Sequence, residues 1–176
     1  MKIWRQSRIS LGFEKWSFAG HSTGGMLGLV YAAAHASSLD KLIVVGAAAS
    51  NRYMDAKDSI YCRENPKNHR LLEIFTILNA PEASNELKSQ AAREWTEMSL
   101  NHPDRWDDYF SKPSSGRVVQ KRLDYYSRHL SSFDISSRLN LIRTPTLVMC
   151  GKYDTQCPDA LDMLRGCSIN KVSSKY

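Results

Sequence analysis

The sequence predicts an α/β fold: parallel strands alternate with helices, and a helical segment is inserted between two of the strands. Three observations predict it. An apolar run turns through Gly20-His21-Ser22-Thr23-Gly24-Gly25 into a helix of small residues. Two later apolar runs, residues 41–46 and 144–151, are continuous rather than alternating, as strands buried on both faces are. The stretch between those two runs is far longer than the dozen or so residues a strand–helix–strand crossover needs. It is also rich in charge, aromatics and helix formers.

Taken in order, residues 1–12 place Ile3, Trp4, Ile9 and Leu11 on one face of a short helix that ends at Gly12. Residues 13–19 read as a strand and residues 26–35 (MLGLVYAAAH) as a buried helix. Between them, Gly20, His21, Ser22, Thr23 and Gly24 form the G-x-S-x-G pattern of a nucleophile elbow. A strand must turn sharply into a helix there while holding one side chain at the crest. Gly20 and Gly24 lack a Cβ, so the backbone can fold back on itself. Ser22 is left with its hydroxyl exposed, and the helix behind it offers free N–H groups and a partial positive charge. The N–H of Thr23 is where an oxyanion donor is expected. A glycine-rich turn with an incidental serine is the alternative, and the strand–turn–helix setting speaks against it.

Residues 37–40 form a loop and residues 41–46 the second strand, which ends within residues 47–50. Amphipathic helices follow at residues 70–78, closed by Asn79 and Pro81, and at residues 85–100, closed by Asn101-His102-Pro103. A third starts within residues 104–110, closed by Lys112-Pro113, and a fourth covers residues 117–130. Residues 144–151 are the third strand. The expected organisation is a core of residues 1–50 and 133–176 with a helical cap of residues 51–132. Ligands of parallel sheets bind at the carboxyl ends of the strands, so an insertion there acts as a lid. An independent helical domain is the alternative.

Composition bounds the partners. The 176 residues suggest one domain, 42% of them are hydrophobic, and no run approaches the ~20 apolar residues of a membrane helix. Residues 1–6 lack the apolar centre of a signal peptide. Cys62, Cys150, Cys157 and Cys167 have no metal-ligand spacing and form no C-x-x-C, so they read as reduced thiols of a cytoplasmic protein. Cys157 and Cys167 are close enough in sequence to bridge. The net charge of +6 comes from Lys and Arg interleaved with Asp and Glu. That is a solvated surface rather than a nucleic-acid footprint. Neither a nucleic acid nor a membrane is expected as partner, and the oligomeric state stays open.

The elbow at Gly20-His21-Ser22-Thr23-Gly24-Gly25, the helical segment between strands, and Pro145-Thr146-Leu147-Val148-Met149-Cys150-Gly151-Lys152-Tyr153-Asp154 together resemble the α/β-hydrolase superfamily. Within it the chain is most similar to the proline iminopeptidase-like serine hydrolases, over residues 13–159. The resemblance implies a partial α/β-hydrolase fold, a serine nucleophile at Ser22 and a triad acid at Asp154 on the loop after the late strand. A turn or helix-capping aspartate is the alternative for Asp154. The implied reaction is hydrolysis of a small amide or ester, a small molecule or short peptide, through an acyl-enzyme at Ser22. No metal and no organic cofactor is implied. A carboxylesterase-type acyl hydrolase and a non-catalytic binding fragment are the alternatives. Iminopeptidases hold a free amine with carboxylates near the lid. Glu73, Glu94 and Glu97 are lid carboxylates here, with solvated helix faces as their other reading.

The sequence departs from the family pattern twice. The triad of this fold runs Ser, acid, His, yet His21, His35, His69, His102 and His129 all precede Asp154. His129 falls in a cap helix and reads as a surface or core histidine. His21 adjoins Ser22, but neighbours on an elbow diverge. The family also carries several strands and an oxyanion-loop His-Gly motif before the elbow, whereas the elbow strand begins near residue 13 here. The expectation is a chain truncated at both ends, with the elbow strand left at a sheet edge and the catalytic base missing.

Overall fold

The computed structural model describes residues 2–112, 120–158 and 171–174. The first helix, α1 (Lys2–Ser10), puts Trp4 inward: its ring lies 4.4 Å from that of Phe18 and 5.7 Å from that of Tyr31. The Arg8 guanidinium closes the following turn by donating to the carbonyls of Phe13 and Glu14. Gly12, at φ 75°, takes the left-handed conformation that ends such a helix. β1 (Trp16–His21) and α2 (Thr23–His35) follow directly.

β2 (Leu39–Val45) begins inside the expected loop. The exposed Asp40 and Lys41 make that stretch look polar, but Leu39 is buried and pairs with Trp16. β3 (Thr146–Cys150) pairs with β2, and every pairing in the sheet is parallel, in the order β1-β2-β3-β4. The last strand, β4 (Lys171–Ser174), has no counterpart in the sequence reading. Its four residues, KVSS, hold one apolar residue, so hydrophobic pattern gives no signal; pairing of Lys171 with Leu147 through Ser174 with Cys150 defines it. Among the described residues β1 ends the sheet on the other side, with Ser17, Ala19 and His21 exposed, the edge position expected from the departure from the family pattern.

α2 packs on β1 and β2, and its Leu29, Tyr31 and Ala32 are at most 1% exposed, as are Leu42, Val44 and Val148 of the strands. Burying an aromatic of this size is favourable only if its polar tip finds a partner. The Tyr31 hydroxyl bonds Ser38 Oγ at 2.9 Å, and that hydroxyl donates to the His35 carbonyl at 2.8 Å.

The chain divides into two compact units. The first holds the segments described so far, through Ser50, and resumes from Asp134 to Lys152. Its two crossings are tied by a bridge between Ser50 and Asp134 and by Ile135 N–H donating to the Ala49 carbonyl at 2.8 Å. The second unit is Asn51–Phe133 with Tyr153–Pro158. It contains α3 (Asn68–Asn79), α4 (Asn85–Met98), α5 (Trp106–Tyr109) and α6 (Gln120–His129). Ile74 and Leu78 of α3 bury against Ala91 of α4, flanked by Phe75, Ile77, Trp95 and Met98. Ser84 caps α4 by accepting the Leu87 N–H at 3.2 Å. The helix expected within 104–110 is a 3₁₀ turn, Pro103–Arg105, followed by the single turn of α5. Of the fourth expected helix, residues 117–119 lie outside the described residues, as do Cys167 and residues 159–170. The sequence reading kept residues 133–176 together; here Tyr153–Pro158 groups with the helices instead. Among the described residues, no helix is long and apolar enough to cross a membrane.

Candidate active site

The β1–β2 ladder runs through His21 paired with Val45, and one further bond carries it into Ser22, whose N–H donates to the Val45 carbonyl at 2.9 Å. At Ser22 the chain reverses, with φ 53° and ψ −121°. It is the one non-glycine residue with positive φ among the described residues. Such a conformation costs about 1–3 kcal/mol and persists only where neighbouring structure over-determines it. The neighbours do so here. The Ser22 carbonyl accepts the Met26 N–H at 3.0 Å, the first helical bond of α2, while its N–H still belongs to the sheet. The side chain makes no capping bond and is exposed. Thr23 opens α2, so its N–H is one of those a helix N-terminus leaves without an intrahelical partner. His21 is exposed beside it.

A Cβ on Gly20 would stand 2.3 Å from the Gly24 carbonyl carbon, so strand and helix backbones touch there. A Cβ on Gly25 would stand 2.6 Å from Ala47 Cβ. Gly24, which the motif pairs with Gly20, would meet nothing within 4 Å. The close approach therefore falls on Gly20 and Gly25. The motif marks the first of these; the second was visible only as an extra glycine after it.

Asp154 follows β3 but belongs to the second unit, whereas the elbow belongs to the first. Its Oδ1 accepts the N–H groups of Gln156 and Cys157, each at 2.9 Å. That is the geometry of an aspartate that shapes its own turn. The loop is then stitched to residues 59–61 and 98–99. Ile60 N–H donates to the Thr155 carbonyl at 2.8 Å and Ser59 Oγ to the Gln156 carbonyl at 3.0 Å. Thr155 Oγ1 donates to the Met98 carbonyl at 3.1 Å. These bonds are why Tyr153–Pro158 groups with the helices. Sequence reasoning missed them, because Ser59 and Gln156 are 97 positions apart and no local pattern joins them.

The histidines have other company. The His35 ring lies 5.0 Å from that of Tyr31, His69 Nδ1 is 3.4 Å from Glu73, and His102 is 4.0 Å from Asp104. His129 is exposed, with its ring 4.4 Å from that of Tyr125 one turn back. The three cap carboxylates are ion-paired. Arg70 reaches Glu94 with two bonds of 2.7 Å and Glu73 with one of 2.5 Å, and Arg93 reaches Glu97 at 2.8 Å. The bonds from Arg70 hold the Glu94 carboxyl below the usual carboxylate range, and Glu94 first, then Glu73, raises the Arg70 guanidinium. Among the described residues, no group of three or more His, Cys, Asp and Glu could hold a metal ion, and Cys62, Cys150 and Cys157 are all buried.

The family model for the alpha/beta hydrolase fold matches residues 3–166. A solved alpha/beta fold family hydrolase from Bacillus anthracis str. Sterne is 37% identical, with a TM-score of 0.89 over 99% of this chain and 63% of that one. A proline iminopeptidase from Mycobacterium smegmatis is 22% identical, with a TM-score of 0.58 over 98% of this chain and 60% of its own. A hydrolase from Pseudomonas aeruginosa PA01 is 16% identical, with a TM-score of 0.61 over 99% and 61%. The last two share the fold. The chain thus spans less than two thirds of the length of each. No curated protein matches it.

Proposed function

We propose that this chain, which belongs to the alpha/beta hydrolase fold family, carries the nucleophile of a serine hydrolase at Ser22. The observation that carries the reading is the Ser22 backbone, held at φ 53° between a sheet bond and a helix bond with its hydroxyl exposed. Strain of this kind concentrates at functional positions. In the proposed reaction Ser22 Oγ attacks the carbonyl carbon of a small amide or ester. A histidine oriented by Asp154 accepts the hydroxyl proton and returns it to the leaving group, which departs as the acyl-enzyme forms. Water then releases the acid by the same route. The Thr23 N–H supports the developing oxyanion. Residues 51–132 serve as the lid, and the absence of a C-x-x-C or metal-ligand cysteine spacing is in keeping with a cytoplasmic location.

The likeness to the Mycobacterium smegmatis iminopeptidase supports an aminopeptidase of that type, acting on a short peptide. One observation favours a second reading, a carboxylesterase-type acyl hydrolase. Glu73 and Glu94 share Arg70 and Glu97 is paired with Arg93, so all three are engaged in ion pairs, which leaves them poorly suited to hold a substrate's free amine.

No histidine follows Asp154 in the sequence, and a serine hydroxyl without a base is a weak nucleophile. The 176-residue chain alone is therefore expected to show no Ser22-dependent turnover of p-nitrophenyl esters or proline arylamides. Added imidazole can stand in for the base. The test is labelling of the chain by a fluorophosphonate probe, with and without imidazole, beside Ser22→Ala and Asp154→Asn. Expected is labelling that rises with imidazole, is absent in Ser22→Ala and falls in Asp154→Asn. Equal labelling of the wild type and Ser22→Ala sinks the nucleophile; equal labelling of the wild type and Asp154→Asn sinks the acid.

A further inference from the structure

The Gln156 side chain sits in a directional relay. Tyr61 OH donates to Gln156 Oε1 at 3.1 Å, and Gln156 Nε2 donates to Ser99 Oγ at 2.7 Å. The Ser99 hydroxyl spends its one hydrogen on the Trp95 carbonyl, 3.0 Å away. The position thus requires an acceptor toward Tyr61 and a donor toward Ser99, which an amide supplies and a carboxylate does not. Tyr61 is itself fixed in a row of rings. Its ring is 5.7 Å from that of Tyr53 and 6.4 Å from that of Phe75, and Phe75 meets Trp95 edge-on at 5.1 Å. At the other end, the Gln156 and Cys157 N–H groups hold Asp154 Oδ1. The same residue therefore grips the helical unit with its side chain and the Asp154 carboxylate with its backbone.

We propose that Gln156 is a positioning residue, which fixes the Asp154 carboxylate to the helical unit through Tyr61 and Ser99. The inference rests on the reading of Asp154 as the triad acid. Under it, the acid answers to the helices α3 and α4 as well as to the strand before it. A change in the Tyr61–Phe75–Trp95 row reaches the carboxylate without touching Ser22.

The test is NMR of the full 176-residue chain, following the Asp154 carboxyl carbon and the amide protons of Gln156 and Cys157. Gln156→Leu keeps volume and loses both side-chain bonds. Gln156→Glu keeps the bond from Tyr61 and loses the one to Ser99. Tyr61→Phe keeps the ring and loses one bond. Expected in Gln156→Leu is movement of the carboxyl resonance and both amide protons toward exposed-loop values. Amide exchange at those two sites should accelerate about thirtyfold, as two hydrogen bonds of ordinary strength imply. Gln156→Glu and Tyr61→Phe should move them part of the way, with β1 and β2 amides unchanged in all three. If Gln156→Leu fails to fold, Tyr61→Phe carries the test. A purely structural role would speed exchange and leave the Asp154 carboxyl resonance in place. That result, or unchanged signals throughout, overturns the proposal. Ser22 takes no part in the readout. Failure here therefore leaves the labelling test standing, and failure of that test leaves the relay measurable.

Discussion

The elbow and the acid loop hold their key side chains by opposite means. Ser22 is fixed by backbone alone: one sheet bond, one helix bond, and glycines that let strand and helix touch. Asp154 Oδ1 accepts two backbone N–H groups, but the loop that carries them is fixed largely by side chains, with Ser59, Tyr61, Ser99, Thr155 and Gln156 joining it to the helical unit. The first device requires particular residue types at fixed short offsets. The second requires only that polar groups meet in space. An elbow should therefore fail abruptly when a methyl is added at its contact, whereas the loop should loosen by degrees as bonds are removed.

The sharpest way to break that contrast is Gly20→Ala. The new Cβ would meet backbone atoms of Gly24 and Gly25 at 2.3–2.6 Å, and backbone cannot swing aside as a side chain can. The expected loss is about 3 kcal/mol or more, at or beyond the upper end of overpacking costs, read by urea denaturation. Gly24→Ala is the control, since its Cβ meets nothing within 4 Å and the site is helical. Expected there is no loss, or a gain of up to about 1 kcal/mol from helix propensity. Equal losses at the two positions would mean that the elbow is not set by this one contact.

A smaller effect of opposite sign is expected from Ser22→Gly. Glycine accepts φ 53° without the Cβ clash that serine bears, at an entropic cost of its own. The net expectation is a gain of about 1 kcal/mol in unfolding free energy, together with loss of all Ser22-dependent labelling. A destabilised Ser22→Gly would show that the serine side chain, not the backbone around it, holds the turn.

The same contrast explains what the sequence made legible. β1, α2, β2 and β3 are readable because their apolar runs are nearly unbroken, although Ser17, Ala19 and His21 of β1 and Asp40, Lys41 and Ile43 of β2 are exposed rather than buried on both faces. Only their ends shift, as at Leu39, where exposed neighbours hide a paired residue. The elbow is readable because Gly20 and Ser22 answer a local steric demand. Gly25 takes a contact with Ala47 from a different element, so its need for glycine does not show in the motif. Asp154 was readable as a residue at a strand's end. Its attachment to the helical unit was not, because hydrogen bonds across 57 to 97 positions leave no periodicity. β4 shows the same limit: a strand defined by its partner carries little pattern of its own. Arg70 with Glu73 is the familiar three-residue helix spacing, while Arg70 with Glu94 exists only because α3 packs on α4.

That last pair gives the mildest test, inside the unit that side chains hold together. Glu94 accepts two bonds from Arg70, which depress its carboxyl below the ordinary value of 4.5. A group with a depressed folded value contributes stability that is fully present above its unfolded value and is lost as pH falls through the folded one. Glu94 is 38% exposed and Arg70 48%, so solvent screens most of the attraction. Glu94→Gln keeps the shape and removes the charge. It should lower the thermal midpoint by at most about 2 °C at neutral pH. The gap to the wild type should hold above pH 4.5, narrow below it, and shrink in about 1 M salt. A larger gap, or one that ignores salt, would mean that this ion pair stabilises the α3–α4 contact well beyond what its exposure allows. The helical unit would then depend on a single charge contact much as the elbow depends on Gly20.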